Sequence, residues 1–284
     1  MMIKSPDVLV VLVSYKNSQI LAKSIQALNS QTYQNFEAIV WDNGSFCESL
    51  KGTYENKKIK FILSKDNLLW SPAVNSAIRA GLNKKHKYIL VMNNDIILPR
   101  CGIERMINVF NKDLGKVGIV GPAGSSLGGL QDYISHMPLP SYSDWNSDLH
   151  RKIEHAPIVR SAYISGAVFM LSRELYDSIG GLDEEMPLGA DDFDYSIRTK
   201  EAGFSIWVTY STYVKHIGHA SGSSKNWNEY GELNWDKFNR KYDGYFTSEE
   251  ESIKSLWGAV YDGEFPVGTG ISLQEKIKRG IVCQ

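Results

Sequence analysis

The chain has 284 residues, a formal net charge of −1 and a pI near 6.6. Such a balance excludes a protein drawn onto nucleic acid by its overall field, and any anionic ligand has to be held by local groups. Cys47, Cys101 and Cys283 share no metal-binding spacing and leave an odd thiol, which fits a reducing cytoplasm rather than a secreted disulfide scaffold. The longest apolar run, VLVVLV at 8–13, falls well short of a membrane span, and no basic segment leads into a signal-type stretch.

The elements alternate from the start. VLVVLVSY (8–15) reads as a strand buried on both faces, SQILAKSIQALNSQ (18–31) as an amphipathic helix and FEAIVW (36–41) as the next strand. KFILS (60–64), PAVNSAIRAGL (72–82) and YILVM (88–92) repeat the unit, with Pro72 suited to the first turn of its helix. A helix over 102–112 and a strand at VGIVG (117–121) follow. This alternation predicts an α/β protein with a parallel sheet, helices on both faces, and a ligand site at the carboxyl ends of the strands.

From 122 to 160 Gly, Ser, Pro and aromatics dominate, and the segment reads as an irregular insertion. SGAVFMLSR (165–173) is then a strand, DDFDYSIRTKEAG (191–203) a helix ended by Gly203, and SIWVTY (205–210) a strand. Beyond 220 the chain is aromatic and charged, and YGELNWDKFNRKY is helical in pattern. The expected division is a domain over 1–220, with a nucleotide-binding half at 1–121 and an acceptor or catalytic half at 160–220, and a C-terminal extension over 221–284.

The first strand runs into KNSQ, so neither G-x-G-x-x-G nor G-x-x-x-x-G-K-[ST] is present. The strand ends are polar instead: Ser14 and Tyr15, Asp42 and Asn43, Asn67, and Asn93 to Asp95. On an extended chain Asn93 and Asp95 point the same way and Asn94 the other. Paired oxygens suit Mg²⁺ or Mn²⁺, hard cations that leave positions open for substrate phosphates. An isolated Asn-Asn-Asp serves equally well as a strand cap and turn.

Seven segments carry a resemblance: VLVSYKN, VWDNGS, DNLLWSPAVNSAIRAG, MNNDIIL, SGAVFMLSRELYDSIGGLDEEM, DDFDYSIRTKEAGF and VKHIGHASG. In this order, over roughly residues 6–222, they resemble family 2 glycosyltransferases of the GT-A fold, closest to bacterial members that build surface polysaccharides, rhamnosyl- and galactofuranosyltransferase-like proteins among them. The resemblance implies an inverting, metal-dependent transfer from a nucleoside-diphosphate sugar to a hydroxyl of a glycan or lipid-linked glycan. Asp42 would accept from the nucleotide base, with Ser14 and Tyr15 in the same pocket. Asn67, Asn75 and Arg79 would lie near base and ribose, beside a helix N-terminus suited to anions. Asn93 and Asp95 match the ends of the family's D-x-D motif. Asp95 would be the metal ligand, Asn93 would face ribose or metal, and Asn94 would lie with them on the nucleotide side. His216 matches a histidine that contacts metal or diphosphate, ranked above His219. Leu69 and Ala77 stand where the family frequently has Gly.

GADDFD matches the family's E-D-x-D segment, which makes Asp192 the base that takes the acceptor proton and Asp191 its reserve. Without the resemblance, the same aspartates read as a helix cap with favourable charge in the first turn. Gly166 and Ala167 would leave room for the donor sugar, although small residues in a tight strand read the same way. Trp207, Trp227, Trp235 and Trp257 offer faces for sugars, while packing or an oligomer interface is the commoner use of such residues in a helical tail. EKIKRG (275–280) is too short to define a membrane surface; a lipid-linked acceptor would place the chain peripherally at the inner membrane face.

Other classes fit less well. A sugar nucleotidyltransferase needs a Gly-rich basic loop after the first strand, which VSYKNSQ is not. A haloacid-dehalogenase-type phosphatase needs a nucleophilic Asp where Asn93 stands. A non-catalytic nucleotide-sugar-binding module would bind without transferring.

Overall fold

The computed structural model describes residues 7–132, 155–218 and 224–242, with side chains of the last segment from Leu233 onward. The alternation within β1 (Val8–Ser14), buried at every position, builds the molecule. Val8, Val10 and Leu12 pack on one face with Leu21, Ile25 and Leu28 of α1 (Ser18–Asn29) and with Ile103 and Met106 of α4 (Gly102–Phe110). Leu9, Val11 and Val13 pack on the other with Ala73, Val74, Ala77 and Ile78 of α3 (Trp70–Gly81). Each fully buried aliphatic side chain of this kind contributes about 1.5–3 kcal/mol.

β2 (Phe36–Asn43), β3 (Ile59–Ser64) and β4 (Tyr88–Asn93) complete a parallel half in the order β3-β2-β1-β4. The parallel run stops there. β8 (Val168–Ser172) runs antiparallel to β4, and β6 (Val117–Ser125) antiparallel to β8. β9 (Ser205–His216) is parallel to β6; β5 (Ile96–Ile97) and β7 (Ile158–Ser161) pair antiparallel to β9. The sheet is therefore mixed, and the stretch read as irregular from 122 holds the end of β6 and the whole of β7.

α2 (Glu48–Tyr54) and α5 (Arg173–Ile179) are short, and Ser172 caps α5 by accepting from the Leu175 N–H at 3.1 Å. α6 (Asp191–Glu201) packs on β9, and α7 (Ser224–Lys241) lies against α6. Asp194 of α6, fully buried, fixes that contact. It accepts from Arg198 Nε at 2.7 Å and Tyr242 Oη at 2.8 Å, with Lys241 Nζ 2.7 Å away. No helix among the described residues is long and apolar enough to cross a membrane.

Candidate active site

The polar strand ends assemble along one rim, because β1, β2 and β4 stop level with one another: Ser14 lies opposite Asp42, and Val13 opposite Asn93. Asp42 is fully buried there, its oxygens accepting from the N–H groups of Ser45 (2.9 Å) and Cys47 (2.6 Å). Burial, with the Asp42 charge beside it, pushes the Cys47 thiol up to about 11, so it is an inert packing group. Asn43 donates to Asn67 Oδ1 and to the Leu69 carbonyl, and accepts from the Leu68 N–H. This knot holds Leu69 at φ +64°, ψ −168°, a conformation that favours glycine, at one of the two positions where the resembled family frequently has Gly. Tyr15 is half-buried, with Lys16 Nζ 4.8 Å from its ring centre.

The turn after β4 departs from the alternation expected of an extended chain. β4 ends at Asn93, and Asn94 and Asp95 form a turn into β5. Asn94 is buried and spent on the scaffold: its Nδ2 donates to Ser14 Oγ and to the Lys16 carbonyl, and its own carbonyl accepts from Ser24 Oγ at 2.6 Å. Asp95 is almost wholly buried, and its Oδ1 lacks a hydrogen-bond partner. The atom facing it, 3.4 Å away, is His216 Nε2 at the end of β9. β5 makes this meeting, since Ile96 pairs with His216 and the Asp95 carbonyl accepts from the Ile217 N–H.

His216 Nδ1 lies 2.8 Å from the Ser126 carbonyl, so Nδ1 carries the hydrogen and Nε2 turns either a lone pair or a second proton toward Asp95. Burial disfavours the charged ring, but the Asp95 carboxylate and the Ser126 carbonyl outweigh it and raise the group above its ordinary value. With Nε2 unprotonated, the Asp95 carboxylate and the His216 imidazole would present an oxygen and a nitrogen to one cation. The donor set of one carboxylate oxygen and one imidazole nitrogen fits Mn²⁺ or Mg²⁺. No cluster of three or more His, Cys, Asp or Glu suited to a metal exists among the described residues. His219 lies outside the described residues.

α3 plays a different part from the one expected of it. Its first N–H groups, on Trp70 and Ser71, already donate to the Pro187 carbonyl, so its N-terminus is closed to a phosphate. Asn75 is likewise committed, accepting from the Leu182 N–H and donating to the Leu182 carbonyl and Glu184. A Cβ at Gly181 would run into Asn75 Oδ1. Arg79 pairs with Glu184 at 3.0 Å. Asn75 and Arg79 thus clasp the loop that leads to α6.

At the start of α6 two carboxylates stand side by side. Asp192 Oδ2 accepts from Tyr163 Oη at 2.5 Å and the Gly166 N–H at 3.2 Å, and Oδ1 from the Phe193 N–H at 3.0 Å. Asp191 accepts from the Gly189 N–H at 3.0 Å. Burial, then the neighbouring Asp192 charge, pushes Asp191 well above the usual carboxylate range. Burial also raises Asp192, but the Tyr163 hydroxyl and the Gly166 and Phe193 N–H groups oppose it. A proton shared by the pair therefore resides on Asp191 and leaves Asp192 charged. Gly166 borders both, as a Cβ there would lie 3.5 Å from Asp192 Cβ and 3.6 Å from Asp191 Oδ2. Both Gly166 and Ala167 precede β8 rather than lying in it, and the Ala167 carbonyl accepts from the Asn93 N–H, which ties the end of β4 to the segment before β8. Tyr163 and Ser126 escaped the sequence reading: each sits in a low-information stretch, and their partners lie 29 and 90 residues away.

The family model for glycosyl transferase family 2 matches residues 9–180, more than half of the chain, and the protein belongs to that family. An uncharacterized glycosyltransferase of Rickettsia prowazekii is 26% identical over 84% of this chain and 73% of its own length, and one from Rickettsia typhi is 25% identical over the same shares. Two solved structures share the fold at 16% identity. A mannosyltransferase of Pyrobaculum calidifontis, in complex with GDP-Man and Mn²⁺, matches with a TM-score of 0.52 over 74% of this chain and 56% of its own. GalNAc-T7, with UDP, GalNAc and Mn²⁺, matches with a TM-score of 0.56 over 89% and 53%. The mixed sheet flanked by helices is thus the GT-A arrangement, and the chain spans little more than half of either structural neighbour.

Proposed function

We propose that this glycosyltransferase moves a sugar from a nucleoside diphosphate to a hydroxyl of a glycan or lipid-linked glycan, with inversion and with a divalent cation. The observation that carries the reading is the pairing of Asp95 Oδ1, buried and without a hydrogen-bond partner, with His216 Nε2 at 3.4 Å. Asp95 and His216 would hold Mn²⁺ or Mg²⁺, with Asn93 beside them. When bound, the metal supplies countercharge to the departing diphosphate. Ser14, Tyr15, Asp42 and Asn67 form the nucleotide side of the rim, Asp42 shaping its loop from within.

Asp192, charged and held by three donors, takes the acceptor proton as the hydroxyl oxygen attacks the anomeric carbon; the bond to the diphosphate oxygen breaks on the opposite face. Asp191 is the alternative base. Gly166 and Ala167 leave the space between these groups for the donor sugar. The division follows the chemistry: residues 1–121 bind nucleotide, 160–220 carry acceptor and base, and residues 224–242 support the catalytic helix. Work on bacterial surface polysaccharide, on the cytoplasmic side of a membrane, is the setting proposed from the sequence resemblance.

Incubating the protein with a panel of UDP-, GDP- and dTDP-sugars and Mn²⁺ tests this reading by release of nucleoside diphosphate. Release that Asp192→Asn reduces by about 10²–10⁴-fold supports it. A variant as active as wild type would pass the role to Asp191, and absence of release from every donor would leave a binding module.

A further inference from the structure

We infer that Trp235, on α7, is the outer platform of an acceptor subsite on which the apolar face of a sugar ring stacks. This rests on the proposed transfer, because it assumes that an acceptor hydroxyl is brought to Asp192. A wall of aromatic rings begins at that carboxylate. Tyr163 donates to Asp192 Oδ2, and its ring centre lies 4.6 Å from that of Phe193, the next residue along α6. Phe193 in turn lies 5.3 Å from Trp235. Exposure rises along the wall: Tyr163 is buried, Phe193 half-buried and Trp235 36% exposed.

Trp235 is also the open member of the aromatic face it shares with Phe238 and Tyr242. Phe238 and Tyr242, at spacings of three and seven residues on the same face, are buried, with Phe238 edge-on to Trp235 at 5.4 Å. Leaving a third of an indole in water next to a buried aromatic cluster forfeits apolar burial. An amphipathic ring beside a catalytic carboxylate recovers it when a ligand with both C–H and O–H faces is bound. A sugar is such a ligand.

The platform is rigid, as a specificity element has to be. Asn234 Nδ2 donates to the Leu188 carbonyl at 2.5 Å, Lys237 Nζ to the Glu185 carbonyl at 2.7 Å, and Tyr242 Oη to Asp194 at 2.8 Å. These bonds fix α7 to the loop before α6 and to α6 itself, so the distance from Trp235 to Asp192 is set by the fold. Residue 235 lies beyond the 9–180 segment that the family model matches.

The full chain labelled with 5-fluorotryptophan, its Trp235 resonance assigned by Trp235→Phe, provides the test. Methyl glycosides of glucose, galactose, mannose, rhamnose and N-acetylglucosamine, and cellobiose and maltose, are titrated by ¹⁹F NMR. The Trp235 resonance is expected to move saturably with at least one sugar while the other tryptophan resonances hold. If none of these sugars moves it, or if it moves only with protein concentration as in self-association, the inference is overturned. Where an active donor is found, Trp235→Ala is expected to raise the acceptor KM about 10-fold and leave donor hydrolysis unchanged. In parallel, stabilisation by UDP or GDP with Mn²⁺ reports on the donor side alone: its loss in wild type would defeat the proposed transfer, not the sugar platform.

Discussion

Tyr163 Oη lies 2.5 Å from Asp192 Oδ2, joining a residue from the segment after β7 to the first turn of α6. Burial and the facing carboxylate keep the phenol protonated, so it acts as a donor, and the Gly166 N–H donates to the same oxygen. Both bonds favour the ionised carboxylate that a base requires. In Tyr163→Phe the Asp192 carboxyl loses its shortest donor and holds its proton more tightly. The acid limb of the activity profile is expected to move to higher pH and the plateau rate to fall about 10-fold, the scale of one charge-assisted hydrogen bond. An unmoved limb would show that Tyr163 serves packing alone.

Asp191 predicts a conflict between stability and function. Its folded-state proton affinity is raised above the unfolded value, so its contribution favours folding at pH below the unfolded value and is lost as pH rises through the folded value. At neutral pH the protein carries that cost. Asp191→Asn preserves an acceptor for the Gly189 N–H and is neutral without binding a proton, so it is expected to stabilise by about 0.5–2 kcal/mol near neutrality and by little near pH 4. Thermal unfolding of both proteins across pH 4–8 reads the difference.

The Asp194 network predicts the reverse sign. The carboxylate is fully buried against Arg198, Lys241 and Tyr242. In Asp194→Ala those partners lose their countercharge, a change that costs about 3–5 kcal/mol where an ion pair is buried, and somewhat less here because Lys241 is more than a third exposed. Urea denaturation should show a lower midpoint with an unchanged slope.

Gly166 separates binding from transfer. A Cβ fits at ordinary contact distance from the Asp191 and Asp192 carboxyls, but a larger side chain fills the space before them. Gly166→Leu is expected to fold and to bind nucleoside diphosphate as wild type does, while losing transfer at least about 10²-fold. Equal losses of binding and transfer would remove the donor-sugar role.

The parallel half was legible because β1 and β4 are apolar almost throughout and α1 and α3 carry clean stripes: β1 and β4 end within a residue of the reading. Strand direction beyond β4 was not, since the reversal at β8 depends on long connections rather than on local pattern. α2 has no buried residue to betray it, and β5 has only two residues, Ile96 and Ile97. At the site, motif order singled out Asp95, His216 and the Asp191–Asp192 pair as candidates, and the structure sets Asp95 against His216 and Asp191 beside Asp192. Motif order did not show that Asn75, Arg79 and Asn94 spend their polar atoms on the protein itself, because such partners are fixed by tertiary contact. Trp207 is likewise buried, with Nε1 on Ser205 Oγ, whereas Trp257 and the side chain of Trp227 lie outside the described residues.

The central claim is that Asp95 and His216 form a cation-dependent diphosphate site. Calorimetric titration of wild type and Asp95→Ala with UDP and with GDP, each with and without Mn²⁺, measures it directly. The account predicts that one nucleotide binds wild type only with the metal and that Asp95→Ala abolishes this dependence; metal-dependent binding of equal strength in the variant, or binding by wild type indifferent to metal, would contradict it.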